Sequence, residues 1–128
     1  MKALMKLLLS LSLAALILVY PALSSAIDIT LYKELRAASP KSAAGSTLRI
    51  YFRGLQDGLE FSNAAMISAG KTPLYCAPKL IALNTENYLQ FVDEALAAER
   101  EGPLPLKQSY PIAAILAQML PSKMPCPL

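Results

Sequence analysis

The segment STLRIYFRGLQDGLEFSNAAMISAG, Ser46–Gly70, decides the fold. At 100° per residue its large apolar side chains fall on one stripe of a helix, and most polar side chains cover the opposite arc. The stripe consists of Leu48, Phe52, Leu55, Leu59, Ser62 and Met66, widened on one side by Tyr51, Gly58, Phe61 and Ala65. The pattern predicts an amphipathic helix of about six turns that ends at Gly70 and forms the backbone of the core.

Two features inside this helix give hypotheses about packing. Gly54 and Gly58 form G-x-x-x-G, a spacing that allows another helix to approach the backbone closely. Because the helix is amphipathic, we expect the glycines to pack against a neighbouring helix in the core, and a homodimer contact is the alternative. Asn63 lies at the edge of the apolar stripe, where we expect its amide to hydrogen-bond the connector that follows rather than a ligand.

Three shorter helices are predicted around this one. The first runs from about Thr30 to Ala38 and stops at Pro40. Another starts at an Asn84 or Thr85 N-cap and ends near Arg100, and the last has Pro111 in its first turn and stops at Pro121. Proline-rich connectors separate them, and no convincing strand is found. The sequence therefore predicts a single all-α domain over residues 27–128, a small bundle of about four helices.

The first 26 residues are typical of a secretory signal peptide. Lys2 and Lys6 precede an apolar run that is shorter than the roughly 20 residues of a membrane span. Small residues at Ser24 and Ala26 predict cleavage after Ala26, and a retained anchor is the alternative. After cleavage we expect a periplasmic protein without a membrane segment. Ten of the 12 basic residues then remain, together with nine acidic residues, so the net charge is close to zero. A charge this low argues against a nucleic-acid partner.

The residue types needed for catalysis or metal binding are missing from the sequence or scattered along it. The chain has no histidine, the commonest general base and metal ligand. Two cysteines without histidine do not make a structural zinc site. Asp57 and Glu60 share one helix face, but a solvated surface is the better interpretation of that pair. We therefore predict no catalytic, cofactor-binding or metal-binding residues, and a protein that is not an enzyme.

The two cysteines indicate a disulfide once the chain is exported. Cys76 lies in TPLYCAPK between Pro73 and Pro78, and Cys126 is two residues from the last residue of the sequence. In an oxidising compartment an even number of cysteines is typical of a disulfide, and only one pairing within the chain exists. An intermolecular bridge and two free thiols remain the alternatives.

An ordered set of short motifs resembles a known family. YFRGLQDGLEFSNAA, PLYCAP, ALNTENYLQFV and MPC are similar in order and spacing to the Tai-type family of immunity proteins against type VI secretion amidase effectors. The residues that carry the resemblance are Tyr51, Gly54, Asp57, Gly58, Asn63, Ala64, Pro73, Leu74, Cys76, Pro78, Ala82, Leu83, Thr85, Pro125 and Cys126. The resemblance implies a small periplasmic helical protein, often dimeric, with one disulfide that joins the connector to the tail.

Two functions are therefore expected from different classes. As an immunity protein, the chain would bind a secreted peptidoglycan amidase and obstruct its active site, with residues 70–83 and 101–110 as contact surfaces. As a general periplasmic stress or chaperone-like protein of the same small helical fold, it would have no toxin partner and would expose its apolar helix faces when the fold loosens.

Overall fold

A computed structural model describes residues 26–78, 82–100 and 106–127, and within them the chain forms four α-helices and no strand. The helices are α1 (Ile29–Ala37), α2 (Ala43–Ser68), α3 (Thr85–Arg100) and α4 (Ile112–Lys123). Each helix contacts the next one along the chain. The prediction of a small all-α bundle with one disulfide is confirmed. The proposed signal peptide lies outside the described residues except for Ala26.

Side-chain caps explain where the helices begin. Asp28 Oδ1 accepts a hydrogen bond from the Leu31 amide at 2.8 Å before α1. Ser42 Oγ accepts one from the Gly45 amide at 3.1 Å, which is why α2 starts three residues earlier than the apolar pattern suggested. At α3, Asn84 and Asn87 exchange side-chain hydrogen bonds with each other's backbone amides at 3.1 and 2.9 Å. This reciprocal cap confirms the predicted start.

The sequence predicted the C-terminal end of α2 correctly but not that of α4. α2 ends as predicted: Gly70 takes a left-handed φ of 67°, and the Lys71 amide reaches back to the Met66 carbonyl at 2.9 Å. The prediction that α4 stops at Pro121 is wrong, since α4 continues to Lys123. A proline in the last turn removes only one backbone donor, and the Met124 amide still reaches the Leu120 carbonyl at 2.9 Å.

The core lies between α1, α3, α4 and the first half of α2. Its most completely buried side chains are Ile29, Tyr32, Leu48, Phe52, Tyr88, Leu89, Val92, Ile112, Leu116 and Leu120. Within α2, Phe52 is the last apolar residue that is fully buried, and beyond it only Asn63 is buried. The second half of α2 therefore extends past the helical core and needs other cover.

That cover comes from the connector and the C-terminal tail. Cys76 and Cys126 form a disulfide, and beside it the Cys76 amide donates to the Met124 carbonyl at 2.9 Å. Met124 and Tyr75 are both buried, so the tail and the connector each contribute an apolar side chain to the core. The intrachain disulfide predicted from the cysteine count is confirmed.

Removing the disulfide should lower the free energy of unfolding by about 4 kcal/mol, because its loop of 50 residues restricts the unfolded chain. The variant with Cys76→Ser and Cys126→Ser tests this by urea denaturation against the oxidised parent. Mass spectrometry of the non-reduced protein should show a single intrachain bond. Two alkylatable thiols in the protein purified without reductant would contradict the assignment.

Candidate functional site

The buried amide of Asn63 holds the connector against the second half of α2. Its Nδ2 donates to the Tyr75 carbonyl at 2.9 Å, and its Oδ1 accepts from the Leu74 amide at 2.9 Å. One side chain thus satisfies a donor and an acceptor of an extended backbone that has no neighbouring strand. The predicted bond between Asn63 and the connector is confirmed.

A tyrosine pair ties the same connector to α3. The hydroxyls of Tyr75 and Tyr88 lie 3.2 Å apart and both side chains are buried. Burial raises the pKa of Tyr88, and the hydrogen bond with Tyr75 raises it further. Together with Asn63 and the disulfide, this pair fixes the connector from Leu74 to Cys76 at three points.

The fixed connector forms one wall of an open groove of about 890 Å³. The second half of α2 forms the facing wall, and the start of α3 and the tail close the sides. The lining residues are Gln56, Glu60, Asn63, Ala64, Ile67, Tyr75, Cys76, Ala77, Pro78, Ala82, Leu83, Tyr88, Pro125 and Pro127. Three prolines and a disulfide cysteine are among them, which makes the walls stiff.

The polar side chains of Gln56, Asn63, Tyr75 and Tyr88 in the groove are already hydrogen-bonded within the protein. Gln56 Nε2 donates to the Leu83 carbonyl at 3.2 Å and to Glu60 Oε1 at 3.0 Å. Among the described residues no buried side-chain nitrogen or oxygen lacks a partner. Among the described lining residues, Glu60 is the charged one, and it lies at the exposed edge of the groove. The groove therefore offers apolar area and shape, with one negative charge at its rim.

A second polar cluster joins α1 to α3 away from the groove. Tyr32 Oη donates to Asp93 Oδ1 at 2.6 Å, and Arg36 donates to Asp93 Oδ2 through Nε at 3.0 Å and Nη2 at 2.8 Å. Burial, followed by the adjacent Asp93 carboxylate, raises the pKa of Tyr32. Glu86 extends the cluster to Arg49 of α2 at 2.8 Å. The cluster fixes the three helices relative to one another.

The residues singled out from the sequence divide into two groups. Asn63, Cys76, Pro78 and Pro125 line the groove, and Pro73 and Cys126 adjoin it in the connector and the tail. Tyr51 is half-buried against the core, Thr85 is the first residue of α3, and Asp57 is exposed. The structure thus brings together the connector and tail residues with Asn63 and leaves the others apart.

The prediction that Gly54 and Gly58 pack in the core is wrong. Both are exposed, and a Cβ built on either would have no described atom within 4 Å. Each costs about 1 kcal/mol of helix stability relative to alanine without a close contact inside the described chain to offset it. Phe61, placed beside the apolar stripe by the sequence pattern, is 77% exposed. Past Phe52 the buried residue of α2 is Asn63, which bonds the connector.

Sequence reasoning missed the tyrosine pair and the Tyr32, Asp93 and Arg36 cluster. The hydroxyl partners of Tyr32 lie 57 and 61 residues away along the chain, a separation at which no local spacing indicates contact. A buried tyrosine hydroxyl needs a partner, but the sequence does not indicate which residue supplies it.

No described helix is long and apolar enough to cross a membrane. In the part of the chain that the structure describes, no group of three or more His, Cys, Asp or Glu side chains could hold a metal ion. Comparison with protein-family models, curated proteins and solved structures gave no match.

Replacing Asn63 by alanine should destabilise the protein by about 2 to 3 kcal/mol, because the Leu74 amide and the Tyr75 carbonyl both lose their partner. Urea denaturation measures the change. Ser62→Ala, at the exposed neighbouring position, is the matched control and should shift the free energy of unfolding by less than about 0.5 kcal/mol. Equal effects of the two substitutions would contradict the role given to Asn63.

Asn63 and the disulfide restrain the same connector, so their effects should not add. We expect Asn63→Ala to cost less in the background of Cys76→Ser and Cys126→Ser than in the oxidised parent. A double-mutant cycle by urea denaturation measures this coupling. Strict additivity would show that the two restraints act on independent parts of the fold.

The stability of the protein should fall above pH 10 partly through Tyr32 and Tyr88. Both have pKa values raised above the usual 10.0, so they stay protonated in the folded protein while the unfolded chain releases those protons. Their contribution is complete below pH 10 and decreases above it by about 1.4 kcal/mol per pH unit for each tyrosine. Tyr32→Phe should flatten the alkaline slope by that amount, measured by urea denaturation between pH 8 and 11. Parallel slopes for parent and variant would contradict this assignment.

Proposed function

We propose that the protein is an exported binding protein of the periplasm that neutralises a peptidoglycan amidase of type VI secretion by covering the active site of that enzyme. It acts by binding and is not itself an enzyme. The groove between α2, the connector and the tail is the proposed contact surface.

The observation that carries this proposal is the construction of the groove. Its walls are held in place by the disulfide, the Asn63 amide and the Tyr75–Tyr88 pair. A surface fixed in advance loses little conformational freedom when a partner binds, which favours affinity. Because its polar groups are engaged internally, the groove suits a partner that contributes an apolar protrusion rather than a small polar substrate.

The lining residues also indicate what the partner should present. Ile67 is 61% exposed on the α2 wall, and prolines line the opposite side. An apolar side chain on a protruding loop of the amidase would lie against these residues. A lysine or arginine beside that loop would meet Glu60 at the rim.

The family resemblance supports the same surface. Asn63, Cys76, Pro78 and Pro125 are among the residues that carry the resemblance to the Tai-type immunity proteins, and all four line the groove. In this proposal the shared motifs build the frame of the groove. Side chains that do not belong to the shared pattern, such as Ile67 and Glu60, would then determine which partner binds.

A chaperone-like role is the second candidate, and one observation favours it. Ile50, Phe61 and Ile67 are each more than 60% exposed, and exposed apolar side chains can hold unfolded chains. In that role the protein would suppress aggregation of unrelated unfolded proteins and would show no preference for an amidase. An aggregation assay with a chemically unfolded reporter protein distinguishes this role from specific inhibition.

Ile67→Arg should abolish inhibition of the cognate amidase, because a charged side chain replaces the apolar surface of the groove wall. Inhibition is measured as the loss of peptidoglycan hydrolysis by a cell-wall amidase encoded in the same genome. A secreted amidase encoded by a neighbouring gene is the first enzyme to test. Since Ile67 is 61% exposed, the variant should keep the parental free energy of unfolding.

Ile50→Arg is the matched control, because it makes the same chemical change at a side chain of α2 that is 73% exposed and lies outside the groove. It should leave inhibition unchanged. If both variants still inhibit, the groove is not the contact surface. If the parent protein binds none of these amidases at micromolar concentration, the immunity function is refuted.

A further inference from the structure

A cleft between α1 and α3 lies apart from the groove and shares none of its described lining residues. Its volume is about 570 Å³, within the range of about 300 to 1,000 Å³ that small-molecule sites occupy. Three cationic side chains line it, Lys33 and Arg36 from α1 and Arg100 from α3, and Asp93 is the acidic residue among the described lining residues. Positive charge is therefore concentrated at this cleft, although residues 27–128 are close to neutral overall.

The charge of Asp93 is already matched inside the cleft. Its Oδ1 accepts a hydrogen bond from Tyr32 Oη at 2.6 Å, and its Oδ2 accepts from Arg36 Nε at 3.0 Å and Nη2 at 2.8 Å. Both oxygens are thus occupied, and the carboxylate and the guanidinium offset each other. Lys33 and Arg100 form no ion pair with a described carboxylate. Two positive charges, one on each wall of the cleft, can therefore attract a bound anion.

The two walls present these charges differently. Lys33 Nζ donates to Gln108 Oε1 at 3.1 Å, which leaves two of its three donors for another acceptor. Lys33 lies at the middle of α1, a helix of nine residues, so the preference for cations in the last turn of a helix does not explain it. Arg100 is the last residue of α3, and the planar fork of its guanidinium suits a carboxylate.

The rest of the cleft is mainly apolar. Ala37 of α1 and Leu96 and Ala97 of α3 complete its lining. An inorganic anion would contact the cations and leave this apolar area in water, whereas an organic acid would cover it with hydrocarbon. Because two cations lack a described partner, the complementary ligand carries two carboxylates.

We propose that the cleft between α1 and α3 binds a small organic dicarboxylate, with one carboxylate at Lys33, the other at Arg100 and the hydrocarbon on Leu96. A free dicarboxylic acid has this chemistry, and so does a peptide that ends in glutamate, through its side-chain and terminal carboxylates. The site is independent of the proposed immunity function, because it uses other residues and its test contains no amidase.

Titration with glutarate tests the site, with NMR of the backbone amides as the measurement. Glutarate has two carboxylates joined by a short methylene chain. We expect saturable shifts of the amides of α1 and α3 around the cleft and no comparable shifts around the groove. Sulfate, a dianion without hydrocarbon, should bind at least about fivefold more weakly. Glutaramide keeps the hydrocarbon without the charges and should not bind.

Lys33→Gln and Arg100→Gln each remove one charge from a different wall. Each should weaken glutarate binding about threefold, as expected for exposed ion pairs, and the double variant K33Q/R100Q should weaken it about tenfold. Both side chains are exposed, so the free energy of unfolding should stay at the parental value. The double variant K41Q/K71Q is the matched control, because it removes the same charge at exposed positions outside the cleft. It should leave binding unchanged.

N-acetyl-alanyl-glutamate distinguishes the two sources of ligand. Tighter binding than that of glutarate assigns the site to the end of a peptide, equal or weaker binding assigns it to a free dicarboxylic acid, and both results support the site. The proposal is overturned if glutarate causes no saturable shifts or if sulfate binds as tightly as glutarate. Equal losses of affinity in K33Q/R100Q and in K41Q/K71Q overturn it as well.

Discussion

The fold depends on one constraint: the second half of α2 must be covered by an extended connector rather than by another helix. Past Phe52 no apolar residue of α2 is fully buried. An extended backbone laid on a helix finds no ladder of hydrogen bonds there, so each of its polar groups needs an individual partner. Asn63 supplies two such partnerships with one side chain, and the disulfide holds the connector in register with the tail.

This constraint also shapes the groove. The connector is held on α2 by Asn63, on α3 by Tyr75 and on the tail by Cys76, and these elements together bound the groove. These bonds also use up polar groups of the groove, which leaves apolar walls and the charge of Glu60. On the side of α2 turned away from the core, Ile50 and Phe61 lie in solvent.

The sequence predicted the number of helices, their order and most of their boundaries because these depend on local patterns. The Asn84 cap and the Gly70 ending could be found in a few adjacent residues. The start of α2 was missed by three residues because the cap at Ser42 outweighed the apolar pattern, and Pro121 proved compatible with a last turn. The position of Asn63 on the helix was sufficient to predict its bond to the connector, because the connector follows directly in the chain.

By itself the sequence determined the all-α class, the single disulfide pairing available within the chain and the bond of Asn63 to the connector that follows it. These follow from the helical periodicity of apolar residues, from the number of cysteines and from the short distance along the chain between Asn63 and the connector. Only the tertiary structure decided that Gly54, Gly58 and Phe61 face outward, and that Tyr32 meets Asp93 and Tyr75 meets Tyr88. An apolar stripe indicates which side of a helix is buried. It does not indicate how far along the helix other parts of the chain cover that side. That extent is set by the length of the other elements and by where the connector crosses α2.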